Sequence, residues 1–211
     1  MAKDIVLYGF DGSTYVRTVR MLLHEKGADY DQVAVNVLEG EPRQPEHLQR
    51  HPFGKVPVID HDGMRILETS AITRYLNDVL EGPSSVPDNP KDRARMDMAM
   101  GLYDSYGYDA LVGVAGYHLF PGFLGNPDEA FLHSSIETAR KVLIELMRIR
   151  DGSDFIAGDR PSLADFYLAP ACFYVSLVED ADKVFDVTGF DDWWQRIQQL
   201  ESYKSTEPDL G

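Results

Sequence analysis

The stretch V-I-D-H-D-G-M-R-I-L, residues 58–67, decides how the first part of the chain is built. Val58-Ile59 and Arg65-Ile66-Leu67 are short apolar runs flanking His61-Asp62-Gly63. Asp-Gly supplies the positive backbone angle that tight hairpin turns demand, so the stretch predicts two antiparallel strands. Working backwards, Ile5 to Tyr8 is an apolar run ending at Gly9, and Val16, Val19 and Leu23 then recur at helical spacing until Gly27. Between these segments, Val33 and Val35 alternate with Ala34 and Asn36 as a further strand, and a polar stretch from Glu39 to His51, holding Pro42 and Pro45, reads as a loop. Working forwards, Ala71, Ile72, Tyr75, Leu76 and Val79 follow a helical stripe. The order β-α-β, then β-β-α, needs parallel and antiparallel pairing in one small sheet.

From Gly82 to Pro90 the chain reads G-P-S-S-V-P-D-N-P, a linker with almost nothing to bury. Everything beyond it reads as helical. Lys91 to Leu119 carries Met96, Met100, Tyr103 and Tyr106 on one face, and its glycines suggest a bend; Ile136, Val142, Leu143, Leu146 and Met147 mark another helix closed by Asp151-Gly152. The expected organisation is therefore an α/β domain over 1–81, a linker over 82–90 and an all-α domain over 91–211.

Composition narrows the function. The 211 residues are 44% hydrophobic and 11% aromatic, enough to bury a core, and acidic residues exceed basic ones to give a net charge of −15. That surplus repels phosphate backbones and anionic lipids, so nucleic acid and membrane are poor partners. Cys172 is the only cysteine, which excludes an internal disulfide framework and a multi-cysteine zinc site and fits a reducing compartment. With no long apolar run and no signal-peptide pattern, the expectation is a soluble, cytoplasmic protein.

Three local motifs carry chemistry or structure. Ser162-Leu163-Ala164-Asp165 has the S-x-x-D form of a helix start, in which side chain and backbone cap one another. In Gly54-Lys55-Val56-Pro57-Val58-Ile59, a proline stands immediately before a strand; it can adopt the cis peptide and leave the Val56 backbone to pair with a ligand, or it is an ordinary start to a strand. Glu68-Thr69 lies where a strand gives way to a helix. There, backbone N–H groups and a hydroxyl suit a carboxylate and the acid beside them suits an ammonium, although, read alone, Thr69 or Ser70 is more often a simple helix cap.

Four segments together resemble the cytosolic glutathione transferases over nearly the whole chain: S-T-Y-V-R at 13–17, H-P-F-G-K-V-P-V-I at 51–59, L-E-T-S-A-I-T-R-Y-L at 67–76 and D-R-P-S-L-A-D-F at 159–166. The resemblance is to a serine-type, bacterial-like member. It implies a thioredoxin-like first domain that binds glutathione as co-substrate and a helical second domain that forms one wall of a pocket for a small hydrophobic electrophile. The implied reaction is attack by the glutathione thiolate, as in detoxification, with no metal.

By that resemblance Ser13 stabilises the thiolate; its other reading is the N-cap of the first helix. Bringing a thiol from a pKa of about 8.5 to about 6.5 takes roughly 2.7 kcal/mol. A charge-assisted hydrogen bond supplies about 1.5–3 kcal/mol and a helix N-terminus about 0.3–1. Tyr8, at the end of the first strand, is the runner-up. Cysteine-type chemistry does not fit, because residues 10–15 hold no cysteine, and Cys172 reads as core.

The resemblance further implies that Glu68 and Thr69 hold the γ-glutamyl amine and carboxylate, that the Val56 backbone beside Pro57 pairs with the cysteinyl segment, and that Lys55 or Arg43 meets the glycyl carboxylate. Pro42 and Ser70 depart from common family residues, which shifts weight onto Arg43. Phe10, Tyr103 and Tyr106 are candidates for the electrophile pocket, and exposed Phe53 for insertion into a partner subunit of a homodimer. A different class stays open: a non-catalytic relative that docks a protein partner or carries an apolar ligand.

Overall fold

In the computed structural model, residues 4–209 are described, and they form two compact units, one ending at Ser85 and taking up the chain again from Glu201, the other spanning Val86–Leu200. The first unit holds a four-stranded sheet in the order β2-β1-β3-β4, from β1 (Ile5–Tyr8), β2 (Asp31–Val33), β3 (Val58–His61) and β4 (Met64–Leu67). β1 pairs parallel with β2 and antiparallel with β3, which pairs antiparallel with β4. This is the thioredoxin-like mixed sheet expected. The 58–67 hairpin closes through Asp62 and Gly63, at φ 48° and 72°, as a primed turn requires.

Alternation along β1 puts Ile5 and Leu7 in the core and leaves Val6 and Tyr8 half-buried. Against the buried face lie α1 (Thr14–Glu25) and α3 (Thr69–Val79), which contribute Val16, Val19, Leu22, Leu23, Ile72 and Leu76, all at 0% exposure. Each such side chain stabilises the fold by about 1.5–3 kcal/mol. Lys26, itself buried, donates to the carbonyls of Asn77 (2.8 Å) and Leu80 (3.3 Å), satisfying the C-terminal end of α3.

The second strand differs from expectation: it ends at Val33, which is 42% exposed, while Val35 lies beyond it and is buried. The ladder stops there because Val33 pairs with Tyr8, the last residue of β1, and its carbonyl accepts from Gly9 N–H at 2.9 Å. The polar loop likewise contains a 3₁₀ turn (Glu41–Arg43) and one turn of helix, α2 (Pro45–Leu48), each with proline in its first turn, where a missing N–H costs nothing.

The helical unit runs α4 (Pro90–Leu102), a π-helical turn (Tyr103–Gly107), α5 (Tyr108–Leu119), α6 (Glu129–Arg150), α7 (Leu163–Ser176), α8 (Ala181–Phe185) and α9 (Phe190–Gln199). Every residue of α7 from Leu163 to Val175 is buried, so it is the unit's central helix. The glycines of α5 serve packing: a Cβ at Gly113 would lie 2.8 Å from Ser135 Oγ on α6. The sequence-based boundary put all of 91–211 in the helical part, yet α10 (Glu201–Ser205) belongs with the first unit. Buried Arg17 on α1 donates to the Tyr203 carbonyl at 2.8 Å and stacks 4.4 Å from that ring's centre.

Candidate functional site

Strand register collects the candidate residues. Tyr8 pairs with Val58 and Val58 with Leu67. The turn after β1, the segment before β3 and the junction after β4 therefore meet at one end of the sheet. These carry Ser13, Val56-Pro57 and Glu68-Thr69 respectively.

Ser13 is the N-cap of α1, extended at φ −79°, ψ 125°, and its Oγ accepts from Val16 N–H at 3.4 Å. Its carbonyl accepts from Arg17 N–H. Capping uses a lone pair, and no acceptor for the hydroxyl hydrogen is found among the described residues. The preceding turn is held by Asp11, which pairs with Arg20 at 3.1 Å and accepts from Gln32 Nε2 at 2.9 Å, while that same amide also donates to the Gly9 carbonyl. Neither Asp11 nor Gln32 carries a sequence motif that would have singled it out.

Tyr8 has different surroundings. Its hydroxyl donates to Asp60 Oδ2 at 3.0 Å, and Asp60 in turn receives a bidentate grip from Arg65 at 2.7 and 2.7 Å. The hydrogen bond from Arg65, more than any other influence, holds the Asp60 carboxyl below its ordinary range. Arg50 lies 4.5 Å from the Tyr8 ring centre. The phenol is thus already committed within a charged cluster.

The Val56–Pro57 peptide is cis, and neither the N–H nor the C=O of half-buried Val56 has a partner among the described residues. The preceding carbonyl, that of Lys55, is bonded to His47 Nε2 at 2.7 Å. Gly54 sits at φ +59°, and a Cβ there would come within 2.6 Å of the Pro42 carbonyl, so glycine alone lets the Pro42-Arg43 turn lie against this loop. Arg43 and Lys55 are exposed, and their side chains have no hydrogen-bond or ion-pair partner among the described residues.

Glu68 adopts φ 67°, ψ 122°, a region non-glycine residues rarely occupy and which persists where surroundings enforce it, as functional sites do. Its carboxylate is 73% exposed and lies 3.7 Å from Nε2 of buried His51. Thr69 opens α3, so its N–H is among the helix's unpaired donors.

The other candidates scatter. Phe10 is half-buried, with its ring against Gly12. Tyr103 is 1% exposed, edge-on to Tyr108 and Tyr167, and burial drives its hydroxyl well above the ordinary phenol range. It is a core residue of the helical unit, which corrects its expected place in an open pocket; Tyr106, one π-turn on, is 61% exposed. Phe53 is 71% exposed. Cys172 is fully buried and burial pushes its thiol up. One cluster of metal-ligand type, His118, Glu179 and Asp180, is found among the described residues, but Asp180 is already shared between His118 (2.9 Å) and Lys183 (2.5 Å). Asp165 is bonded on every side: it accepts from the Ser162 N–H (2.8 Å) and hydroxyl (2.7 Å), Ile156 N–H (3.0 Å) and Trp193 Nε1 (2.8 Å). The S-x-x-D motif is structural. No helix of the described residues is long and apolar enough to cross a membrane.

Comparison with known proteins gives the family. Residues 3–78 match the family described as "Glutathione S-transferase, N-terminal domain" and residues 129–199 that described as "Glutathione S-transferase, C-terminal domain". The chain is 29% identical over 186 residues to glutathione S-transferase F10 of Arabidopsis thaliana, covering 86% of each. It is 32% identical over 182 residues to a maleylacetoacetate isomerase of Rhizobium meliloti, covering 82% of each. Among solved structures it is similar to glutathione S-transferase I from mais in complex with an atrazine glutathione conjugate, at 26% identity, TM-score 0.83 and coverage of 97% of this chain and 96% of that one.

Proposed function

Since the chain belongs to the glutathione S-transferase family, we propose that it binds glutathione at the end of its sheet, holds the sulfur as thiolate beside Ser13, and directs it at a small hydrophobic electrophile. The observation that carries this is the Ser13 hydroxyl, which caps α1 with a lone pair and whose hydrogen has no acceptor among the described residues. That hydrogen can be given to a sulfur anion. The bond contributes about 1.5–3 kcal/mol, and the N-terminus of α1 about 0.3–1 kcal/mol more, which covers the roughly two-unit drop in thiol pKa that neutral-pH chemistry needs. No general base is required. Tyr8 is a weaker choice, because its proton is engaged by Asp60.

The remaining groups divide the tripeptide by charge. Glu68 takes the γ-glutamyl ammonium, and Thr69, with the N-terminus of α3, takes the neighbouring carboxylate. The unpaired N–H and C=O of Val56 form a two-bond ladder with the cysteinyl residue. Arg43 and Lys55 attract the glycyl carboxylate. The related mais enzyme, whose structure holds a glutathione conjugate, supports glutathione as the co-substrate. The working assembly is a homodimer with Phe53 inserted into its partner; Phe53→Ala shifts the chain toward monomer in analytical ultracentrifugation, and an unchanged dimer removes that role.

The test of the reading is Ser13→Ala. It should still be retained on immobilised glutathione while kcat/KM with an aromatic electrophile falls about ten- to a hundredfold, the size of one charge-assisted hydrogen bond. Undiminished turnover would move the role elsewhere.

A further inference from the structure

Two histidines one helical turn apart, His47 and His51, lie beneath the loop that leads to Val56, and the mechanism above gives neither a task. Each is 2% exposed. His51 N–H donates to the His47 carbonyl at 2.8 Å and the His51 carbonyl accepts from Gly54 N–H at 2.9 Å, so the ring's backbone is fixed on both sides. Its Nδ1 accepts from Phe53 N–H at 3.3 Å, which assigns the proton of the neutral ring to Nε2. That Nε2 faces Glu68 Oε1 at 3.7 Å, and His51 is the one basic side chain paired with Glu68 among the described residues.

We propose that His51 is a positioning residue for the amino-acid end of glutathione: neutral, it steers the Glu68 carboxylate; charged, it competes with the ligand's ammonium for that carboxylate, so affinity falls on acidification. The inference rests on the reading that Glu68 holds the ammonium.

The charged and titratable groups facing His51 are Glu68 from the β4–α3 junction, His47 from α2 and Lys55 from the following loop. Burial, the largest influence, holds the imidazole below its ordinary range; Glu68 opposes it, and His47 and Lys55 reinforce it. The ring is therefore neutral at neutral pH. A ligand ammonium arriving at Glu68 offsets the carboxylate charge that favours imidazolium, so binding depresses the ring's titration further. Linkage then requires full affinity while the ring is neutral and reduced affinity once it is charged. Protonation also places a second N–H, on Nδ1, against the Phe53 N–H, which disturbs the loop that presents Val56.

The probe is S-methylglutathione, which has no thiol to titrate and whose amine and carboxylates keep their charge between about pH 7.5 and about pH 5.5. Calorimetric affinity for the full chain should fall toward the acid end of that range, by up to roughly fivefold, a typical coupling, and His51→Asn should flatten the profile. If that variant does not fold, the His51 ring resonance in the native chain decides alone: its titration midpoint should move to lower pH when the probe saturates the site. A pH-independent native affinity, an unmoved midpoint, or a native profile retained in His51→Asn overturns the proposal. Glu68→Gln separates the two readings. Native-level affinity in that variant removes the ammonium assignment itself, whereas lost affinity beside an unaltered His51→Asn profile removes only the part given to His51.

Discussion

Asp165 in the helical unit and Ser13 in the sheet unit both sit at the start of a helix, and both were legible as caps, yet only one has anything left to offer. Asp165 is fully buried and its carboxylate accepts four hydrogen bonds, from Ile156, Ser162 twice and Trp193. Ser13 is half-buried, and its hydroxyl accepts one long bond from Val16 N–H and donates none among the described residues. The same contrast holds more widely: the helical unit buries Tyr103, Phe166, Tyr167 and Trp193 in its core, whereas the sheet unit leaves the Val56 backbone, Arg43, Lys55 and Glu68 with spare capacity among the described residues.

The largest expected effect breaks the satisfied member. Asp165→Ala strands several buried donors, so urea unfolding should report a loss of about 3 kcal/mol or more. Next, Glu68→Gln removes a charge that the fold itself scarcely uses. Glutathione affinity by calorimetry should fall about ten- to a hundredfold, with the unfolding midpoint within about 0.5 kcal/mol of the native chain.

A smaller effect concerns the charged cluster around Tyr8. The Arg65 hydrogen bond depresses the Asp60 carboxyl, so its contribution is fully present above the ordinary carboxylate value of about 3.9 and is lost as pH falls through the lower folded value. Asp60→Asn should therefore cost about 0.5–1 kcal/mol at neutral pH, after allowance for solvent screening, and the native chain and the variant should converge in acid. If the gap does not begin to close as pH falls below the ordinary carboxylate value of about 3.9, the ion pair is not its source. Smallest of all, Tyr8→Phe should leave the thiol titration of bound glutathione within about 0.3 units, because the phenol's proton is spent on Asp60.

The mixed pairing of the sheet and the hairpin were legible because Asp62-Gly63 fixes a turn and apolar periodicity fixes faces. The end of β2 was not, since Val33 and Val35 look alike in sequence and only pairing with Tyr8 decides between them. Nor was the return of α10: E-S-Y-K-S carries no apolar stripe, and its anchor is Arg17, nearly two hundred residues earlier. Tyr103 and Tyr106 share a helical spacing that could not tell core from surface, and the π-turn separates them. At the candidate site, residue types pointed to Val56 and Glu68, and the resemblance to the cytosolic glutathione transferases pointed to Ser13. What sequence could not supply was the supporting layer, Asp11, Gln32, His47 and His51, because such side chains act through tertiary neighbours and leave no local pattern.

The account depends most on the proton of one hydroxyl, and ultraviolet titration of the thiolate in enzyme-bound glutathione measures it directly. With Ser13→Ala the midpoint should rise by about one to two units relative to the native chain while glutathione remains bound. A midpoint that stays in place, with binding retained, would contradict the assignment of thiolate stabilisation to Ser13.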